Sequence, residues 1–573
     1  MGERPRVNHQ QAVTATHLAW RATEAIIDHL AARLGRDEAA RADELDKRQL
    51  VAYELVSMRA ELGAAVELLA HAKRVGKNHK SSQTSSSPTL DEALAELFAA
   101  EAIQSVMARI GSRVAHFGLE ATTLSQNLHS LAIATFIDGV LSPENYERVA
   151  DLLRSVGHAG DFGLDEEQQL YRETFKRYAE EVVMPLADKI HREDTDIPAA
   201  IIDGLRELGC FGLSIPARYG GAQDDARPNH MGMVIVTEEL SRASLGAAGS
   251  LITRPEIVAK AILTGGAEAQ KQKWLPLIAS GEKMVAVAVT EPDFGSDVAG
   301  MKVSATPVSG GYLVNGTKTW CTFGGYADLL LVLARTDPDL SKRHRGLSLL
   351  LVEKSRCAGH EFEHRQPERN GVIKGAAMRT IGYRGMHSFE INFVDYFVPE
   401  ENLIGGKDGL GKGFYLQMAG FASGRLQTAA RANGVMQAAL EKCLAYAKDR
   451  IVFGRPIFDY QLTKVKIARM AAALQASRQF TYAAARLMDQ QKGQMEASLV
   501  KFFASKMAEW ITREAVQIHG GMGYAEEMSV SRYFVDARVF SIFEGAEEVL
   551  ALKVIARHLI EERAKELKVR SYK

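Results

Sequence analysis

The 573-residue chain is 46% hydrophobic and 25% charged, with a formal net charge of −1. That suffices for about three to five domains at ~150 residues each and for a large buried core. The balanced charge excludes a global field that would recruit nucleic acid or an anionic membrane, and the longest apolar run, near Leu329–Ala334, falls far short of the ~20 residues that span a bilayer.

The start, Met1 to Arg6, is charged and lacks the apolar centre of a signal peptide, and Arg6 stands where a myristoylation signal needs Ser or Thr. Residues 1 to about 75 carry apolar residues at helical spacing (Ala19, Ala22, Ala25, Ile26, Leu30, Leu34), and the pattern repeats from Leu50 to Ala72. The polar, serine-rich stretch Arg74–Pro88 has no apolar period and predicts a loop or linker. Helical pattern resumes over Leu90–Ala115 and Glu144–Val156, the second with Ser142-Pro143 as its start signal. A glycine-bearing break at Gly157–Asp161 marks a domain boundary.

Helices predominate again from Asp165 to about Gly281, among them Glu238–Ala247 and Arg254–Leu263, around a loop at Ile215–Arg227. Near Met284 the period changes. Val285–Val289 reads as a strand, Tyr312–Trp320 as a hairpin turning at Asn315-Gly316, and Asp328–Ala334, Leu347–Val352 and Phe389–Val398 as short strands. From Gly405 the pattern is helical to the end, over Gly411–Asp449, Gln461–Lys492, Ser498–His519 and a last helix after Gly545. The expected division is an N-terminal helical extension (1–157), a helical domain (158–284), a middle β domain (285–405) and a C-terminal helical bundle (406–573). Residues 91–118 loosely echo 495–521; shared helix composition or a partial internal copy would each explain it.

Cys210, Cys321, Cys357 and Cys443 are scattered without metal-finger spacing, so reduced thiols, a cytoplasmic location and no metal site are expected. Five segments could carry chemistry. AVTEPDFGSD (288–297) runs a strand into a glycine-serine turn that exposes backbone N–H groups and a hydroxyl. NGTKTWCT (315–322) puts a tryptophan on a strand, DRIVFGRPI (449–457) flanks an aromatic with two arginines, and QIHGGMGY (517–524) clusters glycines after a long helix. IFEGAEE (542–548) places Glu544 between an aromatic residue and Gly545, at or just before a helix start. Taken singly, each has an ordinary structural reading as a loop, a core residue or a helix cap.

In joint order and spacing these segments resemble the acyl-CoA dehydrogenase family, over roughly 400 residues from about Leu164 to the C-terminus. The resemblance implies a mainly α fold with a central β domain: a helical domain, a β-barrel-like domain and a C-terminal four-helix bundle, here preceded by the extension. It also implies FAD as cofactor and oxidation of an acyl-CoA to the 2-enoyl-CoA. By that resemblance Val287, Val289, Thr290 and Ser296 line the flavin, while Trp320 and Thr322 cover its other side. Arg450, Phe453 and Gln461 reach the FAD of a neighbouring subunit, and Gln517, Ile518, His519, Gly520 and Gly521 make an adenine and pyrophosphate contact across the same interface. Ala546, Glu547 and Glu548 lie at the nucleotide end. These shared sites imply a homo-oligomer, dimer or tetramer, with electron-transferring flavoprotein as redox partner.

Glu544 falls on the family's usual base position, with the N–H of Gly545 near the thioester. Some members carry the base on an earlier helix just before an arginine; here that position is Gly424, which cannot serve. Arg425 matches a CoA contact, although Ala422 stands where straight-chain members have Asp, and Phe543 where many have Tyr. The extension and the stretches 250–254, 381–386, 425–431 and 542–546 look closer to the methylsuccinyl-CoA dehydrogenases of the ethylmalonyl-CoA pathway. A distal carboxylate on the substrate needs a buried cationic partner, and Arg254 is the candidate. The competing expectations are a short- or branched-chain enzyme with an apolar pocket, an oxidase or monooxygenase on the same fold, and a non-catalytic nucleic-acid-binding homologue.

Overall fold

The structure is a computed structural model that describes residues 8–34, 38–80 and 89–571. The charged start at 1–6 and residues 81–88 of the expected linker lie outside the described residues. By internal packing the chain falls into two compact units. One holds the described residues of Met1–Glu167, Met436–Leu487 and Gly493–Lys573, and the other Gln168–Val435 and Met488–Lys492. The extension and the C-terminal helices therefore share a unit, a grouping that cuts across the consecutive segments read from sequence.

The first unit is helical apart from a short ribbon, Ile451–Val452 against Arg455–Pro456. From the extension come helices His9–Arg33, Gln49–Lys80, Leu90–Gly111 and Pro143–Val156; from the C-terminal part come Gln461–Asp489, Gln494–His519 and Arg557–Ser571. Gly63 admits the ring of Phe480, which a Cβ at 63 would meet at 2.9 Å. Phe98 meets Phe503 edge-on at 5.7 Å, so the two segments that echo each other in sequence are in contact. Polar pairs fix the register. Arg59 lies over Trp20 at 3.4 Å and bonds Glu24, Glu24 also accepts from Arg563, and Lys553 reaches Asp46 at 2.6 Å.

Helix Pro143–Val156 starts as its sequence predicts, with Ser142 accepting the N–H of Asn145 and proline in the first turn, and it stops at Gly157 with φ 82°. Of the linker expected over Arg74–Pro88, residues 74–80 instead continue helix Gln49–Lys80. Val75, 6% exposed, extends the buried face by one more residue after Ala72, and a Cβ on Gly76 would come 3.2 Å from Glu92 Oε1. One apolar contact and one close approach outweigh the local polarity.

The second unit pairs helices, among them Met184–Glu193, His230–Ala243, Thr253–Gly265 and Glu268–Ala279, with a curled eight-stranded sheet. Its strands are β1 (Val285–Ala288), β2 (Ser304–Val308), β3 (Gly311–Thr322), β4 (Leu329–Arg335), β5 (Leu347–Glu353), β6 (Glu361–Arg365), β7 (Val372–Met378) and β8 (Ser388–Pro399). The order is β1-β4-β2-β3-β8-β7-β6, with β5 on β4. β4 is buried on both faces: Leu330, Val332 and Ala334 join Val314, Ile373 and Phe393 inside the sheet, while Leu329, Leu331 and Leu333 pack with Trp274, Leu275 and Ile278 of a covering helix. Alternation along the strand therefore places both rows in apolar surroundings.

The hairpin expected at Asn315-Gly316 is absent. β3 runs unbroken from Gly311 to Thr322, and the turn to β2 lies at Ser309-Gly310. Opposite Asn315, β8 carries one extra residue, Val394 and Asp395 standing against one on β3, so the bulge lies in β8. Gly316 has φ 122°, and a Cβ there would come 2.9 Å from Val303 Cγ2. Asn315 is locked to Asp395, donating from Nδ2 at 3.0 Å and accepting the Asp395 N–H at 2.8 Å. A close approach at positive φ and a tight hairpin both favour glycine, so Asn-Gly signals either.

Candidate active site

In the second unit, one end of the sheet gathers the residues expected around a flavin ring. Val287 lies on β1, and Val289 and Thr290 directly follow it. A second bulge, this one in β3 between Lys318 and Cys321, inserts an extra residue against β8. It turns Trp320 out of the ladder with φ 57° and leaves it 57% exposed, where a tryptophan on a regular buried strand would face the core. The N–H of Thr319 donates to Thr290 O at 2.8 Å, tying this bulge to the end of β1. Thr322 is buried, its Oγ1 3.1 Å from Ser388 Oγ. Ser296 is exposed in the following turn, and a Cβ on neighbouring Gly295 would meet only Thr290 Cγ2, at 4.0 Å.

Beneath this surface lies a buried ion pair that the sequence reading did not single out. Lys318 Nζ donates to Val289 O at 2.8 Å and to Glu291 Oε1 at 3.0 Å. Glu291 also accepts the N–H groups of Lys302 and Val303 at 2.7 and 2.8 Å. Burial pushes the Lys318 pKa down, against the pull of Glu291. The available signal was two opposite charges inside strand segments that otherwise bury apolar side chains. An exposed indole, nearby hydroxyls and open space beside a glycine fit a planar polar ring, the part of FAD expected here.

Arg254, in the first turn of helix Thr253–Gly265, is 7% exposed and donates from Nη1 to Ser250 O at 3.2 Å. Arg431, fully buried on helix Gly413–Asp449, donates from Nη1 to Ser250 Oγ at 3.0 Å and from Nη2 to Thr428 Oγ1 at 2.8 Å. Two buried guanidinium groups thus converge on one serine. Sequence reasoning named Arg254 and not Arg431, although both lie in stretches it had marked. Glu256, one turn into the same helix as Arg254, is buried, and burial pushes its carboxyl above the usual range. The charges that oppose this shift are those of His230 and Lys260. Arg425 is half-buried on the helix that carries Arg431.

In the first unit, Glu544 and Gly545 form a strained turn, with φ 56° and 103°. A non-glycine residue in this region costs about 1–3 kcal/mol and persists only where its surroundings hold it. Helix Gln494–His519 supplies that hold from one stripe. Ser505 Oγ donates to Phe540 O at 3.1 Å, Ser541 Oγ bonds Glu509, and Lys501 Nζ donates to Gly545 O at 2.7 Å. Residues 501, 505 and 509 are spaced i, i+4, i+8, so they share a face. The helix after Glu544 begins at Glu547, with Ala546 as its cap, so Glu544 stands three residues before the helix rather than at its first turn.

The neighbouring expected nucleotide contacts are partly occupied by the chain's own groups. Tyr53 of the extension donates to Glu547, and Lys506 Nζ reaches Tyr53 Oη at 2.6 Å and Glu547 Oε1 at 3.0 Å. Glu548 is exposed and Ala546 half-buried. Gln461 Nε2 donates to Glu147 Oε1 at 2.6 Å. His519 is buried, its ring stacked 4.3 Å from Tyr446 and its Nδ1 2.8 Å from Ala515 O. Gln517, Gly520 and Gly521 are exposed, and Ile518 half-buried. Arg450 is exposed, and Phe453, at φ 49°, is 95% exposed.

Comparison with known proteins covers most of the chain. Residues 165–282, 286–395 and 411–560 match models of the N-terminal, middle and C-terminal domains of acyl-CoA dehydrogenases. The chain is 40% identical to a (2S)-methylsuccinyl-CoA dehydrogenase from Cereibacter sphaeroides over 75% of its own length and 77% of that protein. It is 37% identical to the caffeyl-CoA reductase–Etf complex subunit CarC of Acetobacterium woodii, over 67% and 96% of the two chains. The butyryl-CoA dehydrogenase structure from Megasphaera elsdenii superposes with a TM-score of 0.64 at 32% identity, covering 70% of this chain and all of that one.

Proposed function

The chain belongs to the acyl-CoA dehydrogenase family, FAD-dependent oxidoreductases acting on CH–CH bonds, and from that premise we propose that it oxidises (2S)-methylsuccinyl-CoA to mesaconyl-CoA and passes the electrons to an electron-transferring flavoprotein. The observation that carries the substrate reading is the buried pair Arg254 and Arg431 on Ser250. Among the described residues, the only hydrogen bond assigned to Arg254 is the one to Ser250 O, which leaves donors of a rigid fork for the substrate's distal carboxylate. Support also comes from the relative at 40% identity, named for this substrate, and for the redox partner from the relative named as part of an Etf complex.

In this reading Glu544 removes the α-proton of the thioester. That C–H is weakly acidic, so the developing enolate needs hydrogen-bond donors, a role for the backbone N–H of Glu544 itself. Arg425 binds the CoA portion. Val287, Val289, Thr290, Ser296, Trp320 and Thr322 hold and cover the flavin ring, and Lys318 with Glu291 fixes the strand ends that carry them. When bound, FAD supplies the two-electron acceptor for the hydride that leaves the β-carbon. Arg450, Phe453 and Gln461, with Gln517 to Gly521, reach across an interface to the FAD of a neighbouring copy of the chain, and Ala546 to Glu548 lie at the nucleotide end.

The test is an anaerobic flavin-bleaching screen over methylsuccinyl-, butyryl-, isobutyryl- and glutaryl-CoA. Fastest bleaching with the methylsuccinyl thioester, stable reduced flavin in air and turnover on adding electron-transferring flavoprotein are expected. Equal rates with butyryl-CoA would remove the carboxylate role, and rapid reoxidation in air would make the protein an oxidase.

A further inference from the structure

A cluster of histidine and aspartate side chains lies in the second unit, among groups given no part in the proposed reaction. Asp194 follows helix Met184–Glu193, His360 immediately precedes β6, and His387 immediately precedes β8. One donor atom from each lies within 4.8 Å of the others. His387 Nδ1 is 3.7 Å from Asp194 Oδ1, and His360 Nε2 is 3.9 Å from Asp194 Oδ2. The imidazole rings stand edge to face, 4.3 Å between centroids. We propose that Asp194, His360 and His387 bind a divalent first-row transition ion, of which Zn²⁺ is the probe, as a staple between the helical segment and the sheet.

The outer groups suit the role. The second nitrogen of His387, Nε2, is 3.1 Å from Asp196 Oδ1. The ring is not aligned for a hydrogen bond there; a small rotation onto Asp196 would put the proton on Nε2 and leave the Nδ1 lone pair facing Asp194, the carboxylate–histidine arrangement that orients a metal-binding imidazole. Asp196 is itself fixed by the N–H of Gly359 at 2.6 Å. His387 and Asp194 both hold left-handed backbone, φ 44° and 52°, which aims two side chains from distant parts of the sequence at one point.

Two nitrogens and a carboxylate oxygen, with a fourth position left for water, match a borderline ion better than Mg²⁺ or Ca²⁺, which prefer oxygen. A tetrahedral ion with bonds of 2.0–2.1 Å needs its donors about 3.3 Å apart, so the cluster must contract. The side chains that move are accessible, Asp194 being 28% and His360 50% exposed. Binding would replace the contact of His360 Nε2 with the Asp194 carbonyl, now 3.0 Å. Arg384 Nε lies 3.9 Å from Asp194 Oδ1 and opposes the ion, although it donates to Thr380 O, and Nη1 donates to His191 O. Asp194 and Asp196 offset that charge.

The test dialyses FAD-loaded protein against buffered free Zn²⁺ and reads bound metal, melting temperature and flavin absorbance. One tightly held ion per chain is expected, with a raised melting temperature and no such effect of Mg²⁺. His360→Ala, at an exposed position, is expected to abolish the bound ion, and Asp196→Asn to weaken it by about 10–100-fold, both with flavin content unchanged. Zinc retained equally by wild type and His360→Ala would overturn the proposal, as would wild type that holds no ion at micromolar free zinc.

Discussion

Lys501 Nζ donates a hydrogen bond to the carbonyl of Gly545 at 2.7 Å from a fully buried position. It pins the residue after Glu544 from the helix that ends at His519. Lys501→Met keeps the apolar stem and removes the donor. The expected result is a folded, yellow protein whose kcat falls about 10–100-fold, because small displacements of a reacting group cost rates of that order. An unchanged kcat would mean that the turn holds its shape without the lysine.

Lys318 and Glu291 form a pair whose desolvation is repaid only while both are present. Lys318→Met leaves an uncompensated buried carboxylate, and about 3–5 kcal/mol of stability is expected to be lost in denaturant unfolding. The double variant with Glu291→Gln is expected to recover much of that loss. A single variant as stable as wild type would contradict the pairing.

Burial raises the Glu256 carboxyl above its unfolded value of 4.5, so the folded protein binds that proton more tightly than the unfolded chain does. Its favourable contribution is full below the unfolded value and is lost as pH rises through the folded one. Glu256→Gln is therefore expected to melt higher than wild type at pH 7, with the difference vanishing as pH falls toward 4.5. A variant that melts lower at pH 7 would show that the ionised carboxylate stabilises its surroundings.

Arg254→Ala separates the substrate reading from the family chemistry. With methylsuccinyl-CoA, kcat/KM is expected to fall about 100-fold or more, on the order of 3 kcal/mol for an unpaired buried charge, and with butyryl-CoA by far less. Equal losses on both thioesters would assign Arg254 a packing role.

Much of this was legible in the sequence, and the failures have physical causes. The 3.6-residue pattern placed Pro143–Val156 and Gln494–His519, and apolar composition placed β4, within a few residues. Asn315-Gly316 was misread because glycine at positive φ serves a close approach by Val303 as well as a turn, and residues 74–80 because Val75 is buried in a way that local polarity conceals. The ordered motifs indicated the family and its cofactor. The hold on Glu544 was partly readable: Lys501, Ser505 and Glu509 are polar residues at helical spacing in a largely apolar helix. Tyr53 on Glu547 was not readable, since no local pattern links residues 494 positions apart. Nor was the Asp194–His360–His387 cluster, whose members share no sequence spacing.

The central claim is that Glu544 takes the α-proton, and Glu544→Gln tests it most directly because the amide keeps the shape of the side chain and removes the base. In anaerobic stopped-flow with methylsuccinyl-CoA, the variant is expected to bind FAD and ligand normally and to reduce its flavin about 1,000-fold more slowly or worse, within the range for loss of a general base. Flavin reduction within about tenfold of wild type, a difference of only ~1.4 kcal/mol in the barrier, would place the base elsewhere.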